Sequence, residues 1–373
     1  MYSLQDLLSV MSEADASDLY VSVGAFPMLK ISGEVYPIEK EKLSIENLES
    51  LKQEMLNEEQ LAEYLDQKEL DYTLSLSGVG RFRVNFFRQR STDSFVVRQI
   101  VSAIKSLSEL DLPLILSELA LKDRGLVLVV GSTGSGKSTT LAAMIDHRNA
   151  NKSGHILTLE DPIEFLHPHK KSLVNQREVG HDTHSYNKAL KSALREAPSV
   201  LLVGEIRDRE AMQSALNFSE TGHLVFSTLH ATNTSQTLDR ILSFYDRSEQ
   251  DLVQMQLSQN LLAIIAQRLI PMENGKLTAA LEILISTARI KDLIQKGSVD
   301  LLPQAIKSGA SEHMQLFDQA LYKLYKDKKI SEMTAIDSAD HPTDLKLMIS
   351  STEQREARQE INLLDDDKES HKD

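Results

Sequence analysis

The chain has 373 residues, enough for two cores, and its 41% hydrophobic and 26% charged fractions are those of an ordinary folded protein. It has no cysteine, which excludes disulfides and thiolate metal centres, and its net charge of −14 argues against the nucleic-acid backbone as a default ligand. Met1-Tyr-Ser-Leu-Gln-Asp-Leu-Leu8 has no cationic segment ahead of an apolar one, and the longest apolar blocks, 126–130 and 261–266, are core-sized, so neither a signal peptide nor a membrane span is expected.

The first hundred residues read as a small α+β unit. Asp18-Leu-Tyr-Val-Ser-Val23 alternates as a strand, Gly24 and Pro27 mark turns, and Met28-Leu-Lys-Ile31 runs to a turn at Ser32-Gly33, which makes a β-hairpin. Residues 45–64 are rich in Glu, Leu and Gln, with Leu48, Leu51, Met55 and Leu56 as the apolar positions of one helix. Segments 70–76, 81–87 and 94–100 alternate as strands, parted by Ser77-Gly78-Val79-Gly80 and by 88–93. The polar stretch 102–111, with Pro113 beyond it, reads as a linker and sets divisions at 1–101, 102–113, 114–350 and 351–373.

From residue 114 strands alternate with helices, the pattern of an α/β fold with a mainly parallel sheet. The apolar strand 126–130 leads into Gly131-Ser-Thr-Gly-Ser-Gly-Lys-Ser-Thr139, which satisfies G-x-x-x-x-G-K-[ST], and a helix follows over 138–145. The glycines let the backbone curl so that its N–H groups face phosphate oxygens, and the helix N-terminus adds its positive dipole. Ser132, Thr133, Gly134, Ser135, Gly136, Lys137, Ser138 and Thr139 are therefore the candidate contacts to ATP or GTP. Lys137 would reach the β/γ-phosphates and Ser138 would place its hydroxyl on Mg²⁺.

Strand 155–159 ends in Glu160-Asp161-Pro-Ile-Glu164, where Glu160 could orient or deprotonate the attacking water. An acid at a strand end also caps the next turn, so that reading stands beside the first. His167-Pro-His169 has no evident third ligand for a metal. A helix is expected over 185–198, capped by Ser185 and stopped by Pro198. Strand 200–203 then ends in Gly204-Glu205-Ile-Arg207-Asp208, which puts Glu205, a candidate Mg²⁺ ligand, at the edge where ligands of open α/β sheets bind. His223 and His230 flank the strand 224–229; His230 could sense the γ-phosphate, although a histidine at a strand end is more often structural. Beyond 316 the chain turns helical and charged, and 351–373, with eight acidic and four basic side chains, is expected to be disordered or loosely helical.

These blocks in this order resemble the type IV pilus retraction ATPases of the PilT/PilU group, within the secretion ATPase superfamily, over nearly the whole chain. The family's Asp box resembles Leu159-Glu160-Asp161-Pro-Ile-Glu164-Phe165, its Walker B resembles Leu201-Leu-Val-Gly204-Glu205-Ile-Arg207-Asp208, and its His box resembles Glu220-Thr-Gly222-His223 through Thr228-Leu-His230. Ser17-Asp-Leu-Tyr20, Pro27-Met-Leu-Lys30 and Gly80-Arg-Phe-Arg-Val-Asn85 resemble its PAS-like domain, with Tyr20 where the family usually has His. The resemblance implies a PAS-like N-terminal domain, a RecA-like P-loop ATPase domain, ATP with Mg²⁺, and a cytoplasmic homo-hexamer peripheral to the inner membrane. It implies a catalytic set of Glu160, Glu205, Arg83, Arg98 and His230, with Ser138 and Glu205 on the metal. Taken as residues alone, both arginines also fit a solvated basic face of a strand. The implied partners are a PilT-type retraction ATPase and the inner-membrane pilus platform protein, with no nucleic acid and no direct membrane insertion.

The continuations Glu205-Ile-Arg-Asp-Arg-Glu210 and Leu229-His-Ala-Thr-Asn233 resemble PilU more than PilT. The motif Ala-Ile-Arg-Asn-Leu-Ile-Arg-Glu expected of PilT is replaced by Arg289-Ile-Lys-Asp-Leu-Ile-Gln295-Lys296, which favours an accessory motor that depends on PilT. Two alternatives stay open. One is a pilus assembly or type II secretion ATPase, against which stand the four-cysteine zinc insert and longer N-terminal region usual in its members and not seen in this sequence; the other is a nucleotide-gated accessory subunit with little turnover of its own.

Overall fold

Alternating apolar residues in the first hundred positions build one antiparallel sheet. In the computed structural model, which describes residues 2–351 apart from 32, 39, 77, 101 and 102, its strands are β1 (Asp18–Ser22), β2 (Met28–Ile31), β3 (Glu34–Pro37), β4 (Glu69–Leu76), β5 (Gly80–Gln89) and β6 (Thr92–Ile100). They lie in the order β3-β2-β1-β6-β5-β4, each antiparallel to its neighbour. Helices α1 (Leu4–Glu13), α2 (Ile45–Met55) and α3 (Glu58–Gln67) contribute Leu7, Leu8, Met11, Leu51 and Tyr64 to a core shared with Phe82, Phe86 and Phe95. The Phe86 ring lies 4.8 Å from Phe95 and 5.7 Å, edge-on, from Tyr64 between centroids. Beside it the buried Lys52 ammonium pairs with Asp93 at 2.8 Å, and the Tyr64 hydroxyl donates to the same carboxylate at 2.8 Å.

Where the sequence reads one helix over 45–64, the chain forms two. Asn57 accepts from the Gln60 N–H at 2.9 Å while Gln60 accepts from the Asn57 N–H at 3.1 Å, a reciprocal cap that starts α3 afresh. Leu56 is extended there (φ −106°, ψ 131°) and buried.

The rest of the described chain builds a seven-stranded sheet from β7 (Gly125–Val130), β8 (Gly154–Glu160), β9 (Ser172–Glu178), β10 (Val200–Val203), β11 (Leu224–Leu229), β12 (Leu261–Pro271) and β13 (Leu277–Ile285). The order is β13-β12-β7-β11-β10-β8-β9, and every neighbouring pair is parallel except β12 with β13. All residues of β7, β10 and β11 are buried, as a sheet covered on both faces requires. Leu126, Leu128 and Val130 enter one hydrophobic cluster while Val127 and Val129 enter another, so each strand feeds both faces. The crossovers are α5 (Lys137–Asn151), α6 (Tyr186–Glu196), α7 (Arg209–Glu220), α8 (Thr234–Leu242) and α9 (Arg247–Asn260), after a short α4 (Ile115–Ala120). Ser185 caps α6 as expected, accepting from the Lys188 N–H. Beyond β13 come α10 (Ala288–Gln295), α11 (Leu302–Ser308), α12 (Phe317–Lys326) and α13 (Glu332–Ser338).

Contacts divide the chain into two units, one of residues up to 104 with 163–166, the other of 105–162 with the residues from 167 on. The stretch read as a linker is packed from 105 onward: Leu107 is buried in the second unit's core, and Leu110 and Leu112 lie against it. Three leucines outweigh the polar residues between them. Its first position, 102, and the acidic segment 352–373 lie outside the described residues.

Phe86→Ala removes a fully buried ring that touches Tyr64, Tyr72 and Phe95. It is expected to destabilise the N-terminal unit by about 3–5 kcal/mol, read as a lower denaturant midpoint; an unchanged midpoint would contradict this packing.

Candidate nucleotide site

Four parallel strands end along one edge of the larger sheet. Register pairs Val130 of β7 with Leu229 of β11, and Val203 of β10 with both Ser227 of β11 and Leu159 of β8. Gly131, His230, Gly204 and Glu160 come next on those strands, so blocks far apart in sequence meet along one edge of the sheet, where ligands of open α/β sheets bind.

The loop after β7 turns on glycines that tolerate no side chain. Gly136 caps α5 at φ 84°, and a Cβ there would stand 2.8 Å from Gln267 Nε2. A Cβ on Gly131 would meet the Gln267 carbonyl at 2.5 Å. Gln267, buried on β12, accepts a hydrogen bond from the buried Thr140 hydroxyl at 2.7 Å and so fixes the loop's floor to α5. Lys137 donates to the carbonyls of Gly131 (2.9 Å) and Ser132 (2.8 Å), holding its ammonium over the loop. Ser132, Thr133 and Gly134 are exposed, Ser138 and Thr139 are half-buried on the first turn of α5, and the buried Ser135 hydroxyl has no hydrogen-bond partner among the described residues. A lysine, a helix N-terminus and an orphaned hydroxyl brought together by one loop fit a polyphosphate.

The carboxylates lie on the neighbouring strands, and each is oriented. Glu160 accepts from the Thr158 hydroxyl at 2.6 Å and from the Gln176 amide at 3.2 Å. Glu205 accepts from Arg207 Nε at 2.7 Å, and its other oxygen lies 3.1 Å from His230 Nε2. Arg207 also faces Asp161 at 3.7 Å, and its hydrogen bond to Glu205 raises the guanidinium further above its ordinary value. Gly204 makes the grouping possible: a Cβ there would lie 3.0 Å from the Tyr186 hydroxyl, 3.1 Å from the Leu159 carbonyl and 3.3 Å from Glu160 Cα.

The phosphate loop, Glu160, Glu205 and His230 thus share one edge of the larger sheet, whereas Arg83 and Arg98 belong to the N-terminal unit, as direct partners across β5 and β6. Arg98 donates through Nε to Asp18, a carboxylate only 2% exposed, at 2.8 Å. Arg207 stood inside a recognised motif but carried no assigned role, and its spacing of two from Glu205 was the available signal. Gln267 had none, lying 127 residues from the hydroxyl it meets. His223 is bonded within its own turn, to the Phe218 carbonyl at 3.0 Å and the Thr221 hydroxyl at 3.1 Å, at the end of β11 away from His230. Glu282 of β13 accepts from the Thr234 N–H at 2.7 Å and so holds the start of α8, beyond His230; burial pushes its carboxyl up.

The chain matches the family described as type II/IV secretion system protein over residues 52–351. It is 46% identical to the type IV pilus ATPase PilU of Pseudomonas aeruginosa over 346 residues, 92% of this chain and 91% of that one. It is 42% identical to the type IV pilus retraction ATPase PilT of the same organism over 339 residues, 91% of this chain and 98% of that one. It superposes on the crystal structure of the pilus retraction motor PilT with bound ADP at a TM-score of 0.86 and 39% identity, covering 93% of this chain and 99% of that one.

Gly204→Ala would force the ends of β8 and β10 apart by a few tenths of an ångström. It is expected to lower ATP turnover about tenfold with far-UV circular dichroism unchanged; full turnover would show that the close approach is dispensable. A second expectation concerns His167, whose burial holds its imidazole down at about 4 from 6.5. Between those values the unfolded chain takes up a proton that the folded chain does not, so this contribution is complete above pH 6.5 and falls as pH drops toward 4. The total is about 3 kcal/mol, and His167→Leu is expected to flatten that acid limb in urea midpoints measured from pH 7 to pH 4.5. Parallel limbs in both proteins would contradict it.

Proposed function

The chain belongs to the type II/IV secretion system protein family and, within it, to the PilT/PilU group of type IV pilus ATPases, and from that premise we propose that it is a homo-hexameric ATP-driven motor that assists a PilT-type ATPase in pilus retraction. The observation that carries this reading is the meeting of a phosphate loop, two oriented carboxylates and a histidine at one edge of a parallel sheet. Lys137 exchanges its loop carbonyls for phosphate oxygens, and residues 132–139 cradle the triphosphate. The Ser138 hydroxyl and the Glu205 carboxylate are hard oxygen donors of the kind Mg²⁺ takes. When bound, the ion neutralises charge on the phosphates.

Glu160, fixed by Thr158 and Gln176, orients the attacking water and accepts its proton. The water oxygen bonds to the γ-phosphorus, the bond to the bridging oxygen breaks, and its electron pair leaves with ADP. Arg207 and His230 keep Glu205 in place, so its carboxylate needs no rearrangement when charge develops. Arg83 and Arg98 supply cations to the nucleotide in the assembled ring, and the buried Asp18 steadies Arg98. Hydrolysis then moves the N-terminal domain against the ATPase domain and so drives the inner-membrane platform protein.

The accessory role is supported by α10. The apolar residues that its sequence shares with the PilT motif, Ile290, Leu293 and Ile294, are buried, while the altered positions Arg289, Lys291, Asp292, Gln295 and Lys296 are exposed. The helix keeps its packing and changes its outer face. We place the ring in the cytoplasm, peripheral to the inner membrane through the pilus machine; none of the described helices is long and apolar enough to cross a membrane.

Steady-state ATPase of the hexamer, alone and with a PilT-type ATPase, tests the reading. Turnover is expected to vanish in Lys137→Ala and Glu205→Ala and to fall about 10³-fold or more in Arg83→Ala or Arg98→Ala rings. An assembled ring that binds ATP but turns over in neither condition would sink the motor and leave a nucleotide-gated subunit. Near-normal turnover in the arginine variants would remove those residues from the site.

A further inference from the structure

Tyr186 has no part in the motifs, yet the fold brings its hydroxyl into the acidic cluster. It is the first residue of α6, directly after the Ser185 cap, and its half-buried ring packs against the main hydrophobic cluster of the ATPase unit. The hydroxyl stands over Gly204, 3.0 Å from where a Cβ would be, and Glu160 Cα lies 3.3 Å from that same point. Asp161, Arg207, Glu160 and Glu205 are all close enough to act on the phenol electrostatically. Among the described residues the hydroxyl makes no hydrogen bond.

Phenylalanine would satisfy the packing alone. The hydroxyl has no protein partner among the described residues and is not sealed from solvent, so at the acidic cluster it is placed to bond a water. We propose that Tyr186 is a further catalytic residue of this ATPase, whose hydroxyl oxygen accepts one hydrogen of the attacking water while Glu160 takes the other. A lone pair of the water is thereby aimed at the γ-phosphorus. As the new oxygen–phosphorus bond forms and the bridging oxygen leaves with ADP, the proton released goes to Glu160 and Tyr186 keeps its own. Burial, reinforced by the neighbouring carboxylates, pushes the phenol well above its ordinary value, so it stays neutral at working pH and adds no negative charge beside the triphosphate. This role rests on the hydrolytic reading of the site given above.

Tyr186→Phe removes the hydroxyl and leaves the ring. In the full-length assembled protein, kcat is expected to fall about tenfold while KM and the Kd for a fluorescent ATP analogue stay within about twofold. The affinity for ADP with aluminium fluoride, which occupies the place of the transferred phosphoryl group, should weaken in parallel with kcat. Unchanged kcat, or a loss confined to ATP binding, would overturn the proposal. Wild-type turnover in Glu160→Gln would overturn the placement of the water itself, and with it both the site reading and the tyrosine's role; a Glu160→Gln loss with a silent Tyr186→Phe would overturn the tyrosine alone.

Discussion

The close parallel passage of β10 beside β8, with Gly204 at the crossing, is the constraint on which the site depends. Two carboxylates can serve one nucleotide only if the strand ends that carry them come within reach of each other, and a Cβ at Gly204 would press on the Leu159 carbonyl and on Glu160 Cα at 3.1 and 3.3 Å. The remaining parts follow from register. Because β11 lies between β7 and β10 with all three parallel, the glycine-rich loop, His230 and Glu205 leave the sheet in the same direction. A sheet buried on both faces holds that register firmly, since a slip of one residue would exchange the two hydrophobic clusters that its strands feed.

Around this frame the site is built by neutralising and orienting charge in advance. Glu205 lies between Arg207 and His230, and Glu160 between a hydroxyl and an amide, so each carboxylate is held in a fixed orientation. The phosphate loop is treated the same way, with Gln267 of β12 packed beneath its glycines and bonded to Thr140 of α5. The N-terminal unit repeats the device on a smaller scale, where carboxylates hold cations: half-buried Asp93 the Lys52 ammonium, buried Asp18 the Arg98 guanidinium. Arg98 remains largely exposed beyond that contact, so its fixed base carries a charge available to another surface.

Much of this was legible in the chain because it is written locally. The phosphate loop is a contiguous pattern, its strand a contiguous apolar run, and the acids sit immediately after strands that their own residues define. The resemblance to pilus ATPases rests on the same contiguous blocks. Misreadings came where neighbours competed. The helix over 45–64 was divided by a single reciprocal cap at Asn57, and residues 105–113, polar on average, were drawn into a core by Leu107, Leu110 and Leu112.

By itself the sequence determined the α/β alternation, the phosphate loop, the identity of the acidic residues and the family, since each depends on periodicity or on residues within one turn of one another. Only the tertiary structure decided that Arg207 and His230 bracket Glu205, that Gln267 floors the loop, and that the Tyr186 hydroxyl stands at the crossing of β8 and β10. Those relations are distances between segments that meet through strand order and register, and the order in which strands pair is a property of the whole core, not of any window of the chain.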